Sequence, residues 1–247
     1  MQVTDSYAYH SCVNSTEEIS ACVVSLADRD YLDSIAEQIL DREEMINFLA
    51  RKNYGRINYI VGRLSAKIAA HTFLNAKTLR DISISNGLQG NPLLSDKNYD
   101  VTIAHSKRSG ISICHRRKII VGVDMEYVDH FKNKKIINSA FFERNSVHFE
   151  ASLRGKCTLW TILEAMAKYL KIGLSKNIDM FDIALTKMME SNVVMSKLKY
   201  FPSIIATSIL YEKAVISVCA SRNMRHQCFS ELLKDNKVEK ILARAFS

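Results

Sequence analysis

Two periods organise the apolar positions of this chain. Short apolar or alternating runs predict strands, and apolar residues returning every third or fourth position predict helices. Residues 119–123 form an apolar, β-branched run that reads as a strand, so Asp124 and Glu126, two apart, point from one face of its end. Residues 160–168 are rich in Ala, Leu and Met and hold no Gly or Pro, which favours a helix with Trp160, Glu164 and Lys168 on one stripe.

The same rules apply along the rest of the chain. Residues 1–19 are polar and read as irregular, and 21–26 read as a first strand. One or two helices occupy 32–51, with a break at Gly55. Residues 56–71 predict a long helix whose apolar face is Ile60, Leu64 and Ile68, opposite a solvated cationic stripe of Arg56, Arg63 and Lys67. A strand-like 82–84 precedes a turn-rich 86–92. Strands at 100–106 and 111–114 follow, and Arg116-Arg117 joins the latter to 119–123 as a hairpin. Gly173 closes the second long helix. Four strands then lie at 181–185, 193–200, 204–211 and 214–219, the last two as a hairpin across Glu212-Lys213. An amphipathic, helical tail covers 230–246.

Composition adds limits. A chain of 247 residues with 47% hydrophobic content buries a substantial core in one large domain or two small ones. The first residues show no basic-then-apolar leader and no run is long enough to cross a bilayer, so the expectation is a soluble, cytoplasmic protein without a membrane partner. Six scattered cysteines without a C-x-x-C pair suggest neither a zinc site nor a disulfide framework. A formal charge of +8 favours an anionic partner, with nucleic acid as the lesser alternative.

Paired carboxylates at a strand end repel unless a cation sits between them. Asp124, Glu126 and Glu164 with Lys168 suit a hard divalent cation that keeps part of its coordination for phosphate and water. A solvated strand edge and a surface Glu–Lys pair are the bland alternatives.

The two stretches, in this order and at this spacing, resemble the 4′-phosphopantetheinyl transferase superfamily of the surfactin-synthetase-activating type. Its signatures are G-V-D-x-E, complete at Gly122–Glu126 in numbers 122–126, and W-x-x-K-E-[AS]-x-x-K, matched at Trp160, Glu164, Ala165 and Lys168 but not at Leu163. Gly62, Arg63, Ala66 and Lys67 resemble the family's G-R-x-x-A-K segment. Gly90 and Pro92, around Asn91, are similar to its G-K-P element. His105-Ser106 resemble the end of N-x-S-H-S, with Thr102 and Ala104 departing.

The resemblance implies an α+β fold built as a pseudo-two-fold pair of similar halves, here 1–115 with the coenzyme A phosphate and adenine contacts and 116–247 with the metal and catalytic motifs. It implies Mg²⁺-dependent transfer of 4′-phosphopantetheine from coenzyme A to a serine of an acyl or peptidyl carrier protein, releasing 3′,5′-ADP, in fatty acid, polyketide or nonribosomal peptide synthesis. Asp124, Glu126 and Glu164 would hold the metal, with Glu164 and Lys168 catalytic. Arg56, Arg63, Lys67, Gly90, Pro92, His105 and Lys168 would contact coenzyme A. The protein is expected to act as a monomer. A metal-dependent phosphodiesterase, or an inactive carrier- or nucleic-acid-binding module, is the competing reading.

Overall fold

The structure is a computed structural model that describes residues 2–3, 6–16, 18–132, 140–150, 152–174, 178–224 and 226–243, with only the backbone described at 2, 3, 226–228 and 232. The fold is α+β, and the chain divides into two units, one running to Ile119 and taking in the segment that begins at Asp235, the other Ile120–Lys234. Among the described residues no helix is long and apolar enough to cross a membrane.

In the first unit, β1 (Gln2–Val3), β2 (Tyr7–Asn14), β3 (Ile19–Leu26), β6 (Tyr99–Ser106) and β7 (Ser109–Arg116) form an antiparallel sheet in the order β1-β2-β3-β7-β6. Helices α1 (Leu32–Ile39), α2 (Arg42–Leu49) and α3 (Tyr54–His71) follow β3, and β4 (Ile84–Asn86) pairs with β5 (Pro92–Leu94) as a separate ribbon. Within the stretch expected to be irregular, residues 7–14 are instead a paired strand, because every position from Tyr7 to Asn14 finds a partner on β3. Helix α3 lies on β7 at close range: a Cβ at Gly110 would fall 2.5 Å from the Val61 carbonyl oxygen.

The second unit holds β8 (Val121–Tyr127), α4 (Val128–Phe131), α5 (Ala140–Asn145), α6 (Leu153–Leu170), β9 (Ile183–Glu190), β10 (Val193–Leu198), β11 (Ile204–Leu210), β12 (Ala214–Ser221) and α7 (His226–Leu233). Its antiparallel sheet runs β8-β12-β11-β10-β9. The β11–β12 hairpin turns at Glu212-Lys213, with the Tyr211 N–H donating to the Ala214 carbonyl at 2.9 Å. The hairpin expected between β7 and β8 does not form: β7 pairs with β3 and β6, and β8 with β12, so residues 117–120 carry the chain from one sheet to the other.

The amphipathic tail breaks at Lys234-Asp235, where α7 ends and α8 (Asn236–Ala243) begins; residues 244–246 of the expected helix lie outside the described residues. Helix α8 packs on β2 and β3, so this segment, grouped with the C-terminal half in the sequence reading, clusters with the first unit.

One plan recurs in both units. A buried strand leads through short helices to an 18-residue helix, then a hairpin, separate and short in the first unit and part of the sheet in the second, then two strands of which the last returns beside the first. The register fixes the correspondence. In the first unit Ser65 of α3 is hydrogen-bonded to Ser112 of β7 at 2.7 Å, and Ser112 lies opposite Cys22 of β3. In the second, Thr161 of α6 is bonded to Ser217 of β12 at 2.7 Å, and Ser217 lies opposite Asp124 of β8.

Candidate functional site

Alternation along β8 places Gly122, Asp124 and Glu126 on the face that meets α6. A Cβ at Gly122 would sit 2.0 Å from the Ala165 carbonyl oxygen and 2.5 Å from the Tyr169 nitrogen, so only glycine lets the helix lie this near. The next two positions on that face are therefore drawn under the same helix. Asp124 is 7% exposed and Glu126 is buried.

From α6, the Lys168 ammonium donates to Asp124 Oδ1 at 2.7 Å. Glu164, one turn earlier, is half-buried and makes no hydrogen bond or ion pair among the described residues. Burial pushes the Asp124 carboxyl up to about 6; Lys168 opposes the rise, and the charges of Glu164 and Glu126 add to it. Glu126 Oε1 accepts the Tyr127 N–H at 3.1 Å and lies 3.2 Å from Nδ1 of His130. His130 is a site neighbour that the sequence reading missed, although its i,i+4 spacing from Glu126 across the β8–α4 junction was visible.

The neighbouring motif residues have packing roles. Trp160 sits in ring contact with Phe131 at 6.2 Å between centroids. Leu163, at the position where the family signature has lysine, is fully buried in the core with Phe142 and Phe181, so this departure takes nothing from the acidic cluster.

The metal implied by the resemblance can be tested against these donors. Among the described residues no three His, Cys, Asp or Glu side chains are gathered as a metal-holding group, and Lys168 sits on Asp124. In kind and in charge the donors fit a hard divalent cation: they are three carboxylates on one strand face and one helix stripe, two of them buried, with a single lysine against them.

The first unit uses its charges differently. The box that caps α2 has Asp41 accepting the Glu44 N–H at 2.8 Å and Glu44 accepting the Asp41 N–H at 3.1 Å. That turn brings Glu44 onto Lys67, which is 0% exposed and donates to Glu44 Oε2 at 2.6 Å and to the Ile39 carbonyl at 2.7 Å. Arg63 is also buried, 3.3 Å from Glu44 Oε1, with a hydrogen bond to Asn86 Oδ1 at 3.0 Å. The expected solvated stripe on α3 is thus corrected: Arg63 and Lys67 face inward because α2 supplies an acid to meet them. Arg56 is spent on the carbonyls of Leu49 and Arg51 at the end of α2. Burial raises the Glu44 carboxyl and lowers the Lys67 ammonium, each opposed by the other's charge.

The other first-unit candidates cluster near Arg63. A cleft lined by Asp41, Glu43, Glu44, Arg63 and Asn86, together with uncharged residues, sets three acids against one arginine. Gly90 takes φ +78° in the turn before Pro92, which opens β5 and pairs with Asn86. His105 is exposed on β6 beside α3, its Cδ2 3.8 Å from where a Cβ of Gly62 would lie, while Thr102 and Ala104 are buried. The G-R-x-x-A-K and N-x-S-H-S stretches are therefore neighbours.

Comparison with known proteins adds one informative match. Residues 120–219 match the model of the 4′-phosphopantetheinyl transferase superfamily, the same superfamily that the motifs resemble. Among solved structures, a holo-(acyl-carrier-protein) synthase from Bacillus anthracis in complex with CoA (3′,5′-ADP) aligns at 22% identity over 40% of this chain and 93% of its own, with a TM-score of 0.36. No curated protein matches the chain.

Proposed function

We infer that this chain, whose residues 120–219 match the 4′-phosphopantetheinyl transferase superfamily, is a phosphopantetheinyl transferase that moves 4′-phosphopantetheine from coenzyme A to a serine of an acyl or peptidyl carrier protein. The observation that carries the reading is the convergence of β8 and α6: two buried carboxylates under a helix that contributes a third carboxylate and a lysine touching one of them at 2.7 Å.

In the reaction the serine oxygen forms a bond to the β-phosphorus of coenzyme A, and the bond from that phosphorus to the bridging oxygen breaks, releasing 3′,5′-ADP. Asp124, Glu126 and Glu164 would hold Mg²⁺. When bound, the ion neutralises charge on the diphosphate and on the leaving group. Glu164 takes the serine proton, since it is the one of the three carboxylates that no donor among the described residues occupies. Lys168 supplies positive charge to the diphosphate. For the donor, Arg63, His105, Gly90 and Pro92 are the proposed contacts. Arg56 and Lys67 hold helices together instead, as their internal partners indicate.

The test is to mix the protein with coenzyme A, Mg²⁺ and an apo carrier protein and weigh the carrier by mass spectrometry. One phosphopantetheine arm on its serine is the predicted product. Free phosphopantetheine released without carrier modification would instead identify a phosphodiesterase.

A further inference from the structure

The second unit's sheet is covered unevenly. Ser217, bonded to Thr161 of α6, shares a hydrogen bond with Ser208 at 2.7 Å, and Ser208 lies opposite Val194 of β10. Val194 and Ser196 are therefore on the α6 face, and Met195 and Lys197 are on the other. On that other face Ile205, Thr207 and Ile209 of β11 are buried, and α7 packs on this strand. The cover stops at β9 and β10, where Leu185, Lys187 and Lys197 are exposed.

Register turns this strip into a checkerboard. Leu185 of β9 opposes Lys197 of β10 and Lys187 opposes Met195, so two apolar side chains alternate with two ammoniums. Met189, skipped in the pairing and 48% exposed, extends the apolar part at one end, and Tyr200, 56% exposed with Lys199 over its ring, extends it at the other. The side chains of Lys187 and Lys197 make no ion pair among the described residues, and Glu190, the one acid of the two strands, is paired with Lys234. A lysine on an edge strand ordinarily keeps other strands away, which accounts for Lys187 but not for Lys197 on the interior strand β10.

Two strands span about 10 Å, the width of one helix. The exposed charges are cationic, which selects an acidic occupant, whereas a second copy of a chain carrying a formal charge of +8 would bring the same lysines. The strip is also separate from the acidic cluster. It lies on the face opposite Asp124, and β9 is four strand spacings from β8, about 19 Å.

We propose that the outer face of β9 and β10 is a docking surface for an amphipathic helix of an acidic partner protein, distinct from the site of transfer. The apolar stripe of that helix rests on Leu185 and Met195, and carboxylates beside the stripe meet Lys187 and Lys197. Methionine suits such a surface because its unbranched, polarizable side chain adapts to the shape it meets.

The test uses the full chain and a labelled helical peptide with leucine along one face and glutamate on either side, followed by fluorescence anisotropy at low salt. Two controls are a peptide with lysine for each glutamate and a scrambled peptide of the acidic composition. The wild type should bind the acidic amphipathic peptide only. Lys187→Glu with Lys197→Glu should weaken that binding about tenfold or more and confer binding of the lysine peptide, and Leu185→Ser should also weaken it about tenfold. Carrier modification should run at the wild-type rate in all these variants. Circular dichroism checks the fold, and Lys187→Gln with Lys197→Gln replaces the charge reversal should that variant misfold. No binding of the acidic peptide, equal binding of the scrambled one, or binding indifferent to the substitutions overturns the proposal. A dimer in analytical ultracentrifugation that the charge reversal dissolves would overturn it too, assigning the face to a second copy.

Discussion

The two units repeat one plan and differ at the positions of the second unit's candidate site. Anchored on the Ser65–Ser112 and Thr161–Ser217 hydrogen bonds, Asp124 and Glu126 of β8 correspond to Cys22 and Val24 of β3, and Glu164 and Lys168 of α6 to Ile68 of α3 and Thr72 at its C-cap. Cys22 and Val24 are fully buried apolar positions, which is what a strand under a helix ordinarily carries. Carboxylates in those places cost desolvation energy, and only a ligand or a partner offsets it.

Buried charge by itself does not mark the site, however. The first unit has its own cluster, Glu44 with Lys67 and Arg63, but there the lysine is sealed inside and the acid is supplied by a neighbouring helix cap. In the second unit the lysine is partly open and Glu164 has no hydrogen bond or ion pair among the described residues. The contrast is between a closed set of charges that holds helices and an open one that can exchange partners.

Changes in each unit sharpen that contrast. The largest effect is expected at Glu164→Ala, with carrier modification falling about 10³-fold in a rate assay, since a metal ligand or proton acceptor contributes several kcal/mol to the transition state, while its circular dichroism stays that of the wild type. In the first unit the loss should be of stability. Glu44→Gln leaves Lys67 buried without its counter-charge and should lower unfolding free energy by about 3–5 kcal/mol in urea titration. Gly122→Ala drives a methyl into the α6 backbone and should cost about 3 kcal/mol by the same measurement.

The smallest effect has the opposite sign. Burial raises Asp124 to about 6 from an ordinary 3.8, so its contribution to stability is fully present below pH 3.8 and is lost as pH rises through about 6. In metal-free protein at pH 7, Asp124→Asn should therefore be more stable than the wild type by about 2 kcal/mol, an advantage that thermal melts should show shrinking as pH falls below 6. A variant no more stable than the wild type at pH 7 would mean that Lys168 compensates the buried charge in full.

The second unit was the more legible in the sequence, for a physical reason. A β-branched run before Asp124 and an Ala- and Leu-rich stretch around Glu164 are local signals, and the spacing within each sets which side chains share a face. The burial of Lys67 was not legible, because its partner Glu44 lies 23 positions earlier and reaches it only through the α2 cap. Strand β2 was hidden by its polar residues, among them His10, Ser11 and Asn14, which are accommodated by pairing along the whole of β3. The repeat between units leaves only Ile111-Ser112-x-Cys114 and Ile216-Ser217-x-Cys219 in common on the last strands, too short to notice without the register.

The most direct measurement compares register-equivalent positions, the rate of carrier-protein modification by Asp124→Ala against that by Cys22→Ala. The account predicts loss of transfer in the first and a rate close to wild type in the second. Comparable rates from the two proteins would contradict the claim that the open acidic cluster of the second unit is where the chemistry occurs.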